Sequence, residues 1–327
     1  MMPAITLIEA VNMAMAHEMG VDNSVVALGE DVGTNGGVFR ATDGLQKKFG
    51  KDRVIDTPLA ESMIAGVSVG MAAQGIKPIA EIQFMGFIFP AVDQIICHMA
   101  RMRHRTRGRI TLPLVLRAPF GGGIHAPEHH SESTEAIFAH IPGLKVVIPS
   151  NPSRAYGLML AAIRDPDPVI FLEPKRVYRI VKHEVEDNGE DYPLGCCFVD
   201  REGTDITLIS WGAMLHETNM AADKLAAEGI SCEVIDVATV SPLDIETILE
   251  SVAKTGRAVI VQEAPKAGSL GSEIAAEIAE KGIFNLLAPI GRVSGYDTIM
   301  PYYRLEKQYM PTVDRILEEV RKTVEYS

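Results

Sequence analysis

The sequence predicts an α/β protein with two domains built on mainly parallel sheets. Three observations carry that expectation. Short β-branched or apolar runs alternate with longer segments of helical period. Most of those runs are continuously apolar, the pattern of strands covered by helices on both faces. The 327 residues also exceed what one core of ordinary size takes up.

In order, the first candidate strands are Val25–Leu28, Ile79–Ile82, Leu114–Arg117, Lys145–Ile148 and Val169–Leu172. A second set follows a gap: Ile206–Ser210, Cys232–Asp236 and Ala258–Gln262. The stretch from His183 to Pro193 is polar, acidic and turn-rich, and marks the domain boundary. Thr57 suits a helix N-cap and Pro58 the first helical position, which puts Glu61 in the first turn. That helix runs on through Ala65–Ala73 in small and apolar residues. Each interior glycine costs ~1 kcal/mol relative to alanine. Gly66 and Gly70 lie four apart on one face, which lets another backbone, such as a second subunit's, come close.

Composition narrows the function. Net charge is −12, with 22 acidic against 12 basic side chains over residues 191–327 and 21 against 19 over residues 1–190. An acidic C-terminal half argues against nucleic acid and suits either a basic protein partner or a solvated surface. No run reaches the ~20 apolar residues that span a bilayer. The start, Met1-Met2-Pro3-Ala4, has the character of neither a secretory nor a transit segment, so a cytoplasmic protein is expected. Cys97, Cys196, Cys197 and Cys232 form no C-x-x-C pair and read as reduced thiols.

Four segments hold residues with chemistry to offer. Glu61 is either a carboxylate favoured by the helix macrodipole or a buried functional acid at an interface. The loop from Phe120 to Ser131 follows a strand directly and contains Gly121, Gly122, Gly123, His125, His129 and His130. It reads as a surface loop, as the seat of a catalytic acid or base, or as a metal site using those histidines with Glu128 or Glu132. Arg101–Arg109 is a basic run, either a solvated helix end or a phosphate or subunit contact. Asp165-Pro166-Asp167-Pro168 is a rigid turn or a cation site. The chain lacks a P-loop, a Rossmann glycine fingerprint, and the Gly-Asp-Gly…Asn anchor that holds thiamine diphosphate and magnesium.

Taken in order, a series of segments resembles one family along almost the whole chain. They are Leu28-Gly29-Glu30-Asp31, Asp56-Thr57-Pro58-Leu59-Ala60-Glu61, Glu81-Ile82-Gln83-Phe84 and Phe89-Pro90-Ala91-Val92-Asp93-Gln94-Ile95. Arg117-Ala118-Pro119, His130-Ser131-Glu132-Ser133 and Pro142–Pro149 follow. Trp211-Gly212, Glu263-Ala264-Pro265, Gly271–Ile274 and Arg292–Thr298 complete the series. The chain resembles the beta subunit of the thiamine diphosphate-dependent decarboxylating component of 2-oxo acid dehydrogenase complexes, of branched-chain or pyruvate type.

The resemblance implies a pyrimidine-binding domain over residues 1–182, an acidic linker over 183–195 and a transketolase C-terminal-like domain over 196–327. It further implies an α2β2 heterotetramer in which the alpha subunit holds the diphosphate and magnesium, which accounts for the missing Gly-Asp-Gly motif. A lipoyl acyltransferase core is the implied larger partner. By position, Glu61 matches the glutamate that hydrogen-bonds the aminopyrimidine and favours its imino tautomer. Phe87 matches an aromatic packed on that ring, and Glu30 and Gln83 match polar residues of the same pocket. His130 matches the histidine on the thiazolium side that assists acyl transfer, while His129 stands where branched-chain relatives carry tyrosine. Leu114, Ala162, Asp165 and Asp167 match a potassium site, with Asp167 where relatives commonly have asparagine. Phe171–Lys175 and Tyr178-Arg179 lean toward a branched-chain substrate. An acetoin dehydrogenase subunit and a non-catalytic scaffold are the competing expectations.

Overall fold

A computed structural model describes residues 4–326. Met1, Met2 and Pro3, part of the segment read above for targeting, lie outside the described residues. The chain divides into two compact units. One comprises Met1–Phe120 and Ile137–Leu194, the other Gly121–Ala136 and Gly195–Ser327. Both are α/β.

The first unit contains strands β1 (Ala4–Thr6), β2 (Val25–Gly29), β3 (Val54–Asp56), β4 (Lys77–Glu81), β5 (Val115–Phe120), β6 (Lys145–Val147), β7 (Val169–Pro174) and β8 (Lys182–Glu184). Six of them form a parallel run in the order β6-β7-β5-β4-β2-β3. The sequence made these strands continuous apolar runs because the sheet is interior, and every residue of β2, β5 and β7 is buried. Strands β1 and β8 pair antiparallel as a separate ribbon.

Helices α1 (Leu7–Val21), α2 (Leu45–Phe49), α3 (Glu61–Ala73) and α4 (Met102–Arg105) belong to the first unit. After them come α5 (Glu135–Ala139) and α6 (Pro152–Arg164). Thr6 and Glu9 close a capping box on α1: the Glu9 N–H donates to Thr6 Oγ1, and the Thr6 N–H donates to Glu9 Oε2 at 2.7 Å. Asn151 caps α6 by accepting from the Arg154 N–H at 3.0 Å, with Pro152 in the first turn.

The second unit holds β9 (Phe198–Arg201), β10 (Ile206–Ser210), β11 (Cys232–Asp236), β12 (Thr239–Ser241), β13 (Ala258–Pro265) and β14 (Gly291–Gly295). Its sheet runs β14-β13-β10-β11-β9, parallel except for the antiparallel edge strand β9. Among the described residues five α-helices accompany it: α7 (Met214–Ala227), α8 (Ile245–Thr255), α9 (Leu270–Gly282), α10 (Tyr303–Tyr309) and α11 (Val313–Val324). Leu208, Val234, Val259 and Val261 meet Leu225, Ile316 and Val320 in its core. Among the described residues no helix is long and apolar enough to cross a membrane.

The structure departs from the sequence expectations at three places. Helix α3 starts at Glu61, with Ala60 at the cap, and not at Thr57-Pro58. The Thr57 N–H donates to Gly29 O at 2.9 Å, so the chain still follows β2 where a helix was expected to begin. The acidic 183–194 stretch, expected as a linker, packs within the first unit. Arg164 donates to Gly189 O and Asp191, the Tyr156 hydroxyl donates to Asp187 at 2.8 Å, and the Tyr192 N–H donates to Gly157 O. The histidine-rich loop, residues 121–136, folds with the second unit.

Candidate active site

Three neighbouring parallel strands, β4, β2 and β3, end side by side, with Gly29 paired to Glu81 on one flank and to Asp56 on the other. The residues just beyond these ends are Glu30, Thr57 and Ile82. Ligands of open parallel sheets bind at such carboxyl ends. Four of the predicted residues gather here. Glu30 follows β2, Glu61 opens α3 beyond β3, and Gln83 follows β4. Phe87 sits in the 3-10 turn Met85–Ala91, against which α3 packs.

All four side chains are half-buried. Among the described residues, the side chains of Glu30, Glu61 and Gln83 make no hydrogen bond or ion pair with the protein. The Thr57 hydroxyl is buried with no partner. Polar groups withdrawn from water without partners cost stability unless something else pairs with them. Burial raises the Glu30 carboxyl above its usual range, and the negative charges of Asp31 and Glu61 raise it further. Two carboxylates, an amide and an aromatic ring at one sheet edge offer a ligand hydrogen-bonding groups and an apolar face. Among the described residues no group of three or more His, Cys, Asp or Glu is arranged to hold a metal.

A buried ionic network that the sequence reading passed over lies beneath this edge. Arg117 on β5 donates through Nε to Glu173 Oε1 at 2.6 Å and through Nη2 to Glu173 Oε2 at 2.7 Å. Its Nη1 pairs with Glu81 on β4. The Tyr178 hydroxyl donates to Glu173 Oε2 at 2.5 Å. Charged residues inside the apolar runs Leu116-Arg117-Ala118 and Leu172-Glu173-Pro174 were the available signal, because such residues are buried only when paired.

His130 stands in the second unit, in the 3-10 turn Glu128–His130, where its N–H donates to Pro127 O at 2.9 Å. The loop around it is held from below by Glu263 of β13. Ser133 Oγ donates to Glu263 Oε1 at 2.9 Å, and the Gly122 N–H donates to the same oxygen. The His125 N–H donates to Glu306 Oε2 at 3.0 Å. Burial raises the Glu132 carboxyl, with Glu128 adding to the rise and His129 opposing it. A cavity of about 410 Å³ opens beside the loop, lined by Ser131, Glu132, Pro265, Asp297, Met300 and Tyr309 among others.

The remaining candidates are engaged elsewhere. Asp165 pairs with Lys145 at 2.5 Å and Asp167 with Arg103 at 2.6 Å, while Leu114 O accepts from the Val169 N–H at 3.0 Å. Within the basic run, Arg101, Arg103, Arg105, Arg107 and Arg109 are all exposed. On α3, Ile64, Ala65, Ser68, Val69 and Ala72 face the unit's interior. Met63, Val67 and Gly70 are left exposed.

Comparison with known proteins bears on the family of the chain. Residues 3–181 match the pyrimidine binding domain of transketolase and residues 195–316 match the transketolase C-terminal domain. The pyruvate dehydrogenase E1 component subunit beta of Bacillus subtilis (strain 168) is 50% identical over 99% of this chain and 100% of its own length. Its counterpart from Acholeplasma laidlawii is 52% identical over 98% of each. A solved structure titled as a split-gene transketolase, inactive beta4 tetramer, superposes with a TM-score of 0.81 over 99% of both chains at 24% identity, a likeness of fold. Two transketolase domains and near-complete coverage of these relatives converge: the chain belongs to the family of beta subunits of the E1 component of 2-oxo acid dehydrogenases.

Proposed function

We propose that this chain forms the pyrimidine half of a thiamine diphosphate site, completed by an alpha subunit that holds the diphosphate and magnesium in an α2β2 heterotetramer. One observation carries the reading. The side chains of Glu30, Glu61 and Gln83 stand half-buried at one sheet edge without protein partners, beside the aromatic Phe87. When bound, the cofactor supplies a nucleophilic carbon for the 2-oxo group and an electron sink for decarboxylation.

This chain's part is to bind, orient and move a proton. Glu61, fixed in the first helical turn, accepts a hydrogen bond from a ring nitrogen and so biases the ring's protonation. Glu30 and Gln83 offer further acceptors and donors to the amino group. Phe87 covers a ring face and excludes water. His130, an imidazole able to donate and accept near neutral pH, serves the later transfer to a lipoyl group. The exposed Met63, Val67 and Gly70 of α3 fit a contact with a second beta subunit. The acidic surface of the second unit suits the basic docking segment of an acyltransferase core.

For substrate, the relatives named as pyruvate dehydrogenases favour pyruvate. The lean toward a branched-chain acid rested on Phe171–Lys175 and Tyr178-Arg179. Of these, Glu173 and Tyr178 are buried in the Arg117 network. A potassium ion at Leu114, Ala162, Asp165 and Asp167 would compete with Lys145 and Arg103 for both carboxylates. These residues do not fit a bound cation as they stand, and no step depends on one.

The test is co-expression with the alpha subunit and assay of the complex on pyruvate, 3-methyl-2-oxobutanoate and acetoin. Glu61→Gln should assemble and lose turnover. An assembled variant of unchanged rate would instead mark the chain as a scaffold.

A further inference from the structure

We infer that the buried network of Glu81, Arg117, Glu173 and Tyr178 is a positioning device for the pyrimidine half-site, an inference that rests on the reading of that site given above. The network is fully interior: Arg117 is 1% exposed, Glu81 4% and Glu173 0%. Burying charges in this way is a poor route to stability, because apolar residues of similar volume do as well or better. What such a network does supply is fixed geometry.

Its members join β4, one of the three strands whose ends form the site, to the neighbouring strands β5 and β7. Arg117 ties β5 to Glu81 at the end of β4 and to Glu173 on β7. The Ile82 N–H donates to Arg117 O at 3.0 Å, so the chain leading to Gln83 is held by backbone as well as by side chain. A second route runs through rings. The Tyr178 ring lies 5.4 Å from Phe39, Phe39 lies 5.3 Å from Phe84, and Phe84 lies 5.4 Å from Phe87. A third contact reaches the loop that follows Glu30. A Cβ on Gly37 would lie 3.2 Å from Glu81 Oε1, which places that loop directly against the carboxyl. The network therefore abuts the segments that carry Gln83, Phe87 and Glu30.

Two carboxylates face one guanidinium. Burial raises the Glu81 carboxyl, opposed by Arg117 and assisted by Glu173. The arrangement has fixed hydrogen-bond directions from bidentate Arg117 and from Tyr178, which a lysine or phenylalanine cannot reproduce.

The test uses the assembled complex with the alpha subunit and the variants Tyr178→Phe, Arg117→Lys and Phe39→Leu. Three quantities are read: melting temperature without cofactor, thiamine diphosphate concentration at half-maximal activity, and kcat at saturation. Tyr178→Phe should leave the cofactor-free melting temperature within a few degrees of wild type. It should raise the half-saturating cofactor concentration about tenfold, the size of one misdirected charge-assisted hydrogen bond. Arg117→Lys keeps the charge and should not restore affinity. Phe39→Leu breaks the ring route alone, and should raise the half-saturating concentration even if the buried variants fail to assemble. A lowered melting temperature with unchanged half-saturation and kcat in the assembled variants would make the network mere scaffolding and overturn the inference. Glu61→Gln, run alongside, separates the two readings. If it too leaves cofactor saturation and turnover unchanged, the half-site reading has failed, whatever the network does.

Discussion

Trp211 donates from its indole Nε1 to Glu135 Oε1 at 3.2 Å, while Glu135 Oε2 is buried with no hydrogen-bond partner. The carboxyl is pushed up to about 7 from an ordinary 4.5, first by burial. Its own backbone N–H and Trp211 oppose the rise, and the nearby Glu263 carboxylate adds to it. The protonated form is thus the one the fold prefers.

A pH dependence follows. Because the folded value lies above the unfolded one, the stability linked to this proton is complete below about pH 4.5 and lost as pH rises through about 7. Glu135→Gln mimics the protonated acid and escapes the loss. Relative to wild type, the variant should gain on the order of 3 kcal/mol between acid and mildly alkaline conditions, taking 1.36 kcal/mol per unit as the conversion. Urea unfolding of both proteins across that range measures it. A difference that stays flat with pH would sink the assignment.

Much of the architecture was legible, for a simple reason. Strands β2, β5, β7, β10, β11 and β13 are interior to their sheets, so burial on both faces wrote itself as continuous apolar residues. Strand β3 is three residues long and β14 begins and ends in glycine, so neither leaves a hydrophobic signature. Glu30, Glu61, Gln83 and Phe87 are singled out by the ordered resemblance and not by periodicity, since a first-turn glutamate looks the same whether it serves a helix dipole or a cofactor. The start of α3 differs from the local signal because Pro58 favours a helical first turn, while the bond from the Thr57 N–H to Gly29 O keeps the chain extended. The ion pairs of Arg117 leave no local signature because its partners lie 36 and 56 residues away, beyond any local pattern.

Gly143 offers a test of backbone geometry. Its φ is +96°, and a Cβ there would strike the carbonyl oxygen of Ala100. Backbone on both sides leaves no flexible side chain to yield. Gly143→Ala should therefore cost about 2–4 kcal/mol, combining left-handed strain with a steric clash. The urea midpoint of the purified chain reads this directly, and a change below about 0.5 kcal/mol, the usual range for neutral surface substitutions, would contradict the packing described.

Glu61 is the residue on which turnover should turn most sharply. Glu61→Gln keeps size and polarity but cannot share a proton with a ring nitrogen in the same way. In the assembled complex kcat should fall about 10²-fold or more, the scale of losing a positioned acid–base group. The substrate KM should change little, because Glu61 faces the pyrimidine in this reading and not the 2-oxo acid. Steady-state kinetics at saturating cofactor decide it. A raised KM with intact kcat would move Glu61 out of the proton path and into substrate binding.

Glu263 links the histidine loop to the buried acid. Its carboxylate accepts from Ser133 Oγ and from the Gly122 N–H, and its charge raises Glu135. Glu263→Ala strands two donors and should cost about 1–3 kcal/mol, opening residues 121–136 to limited proteolysis. Glu263→Gln keeps an acceptor for both donors but carries no charge, so the loop should stay protected. The same variant should lower the pH at which Glu135 titrates, because one repulsive neighbour has gone. The pH profile of unfolding in Glu263→Gln, compared with wild type, isolates that electrostatic coupling from the loss of packing. An unshifted profile with a protected loop would mean that Glu263 anchors His130's loop without touching the acid beneath it.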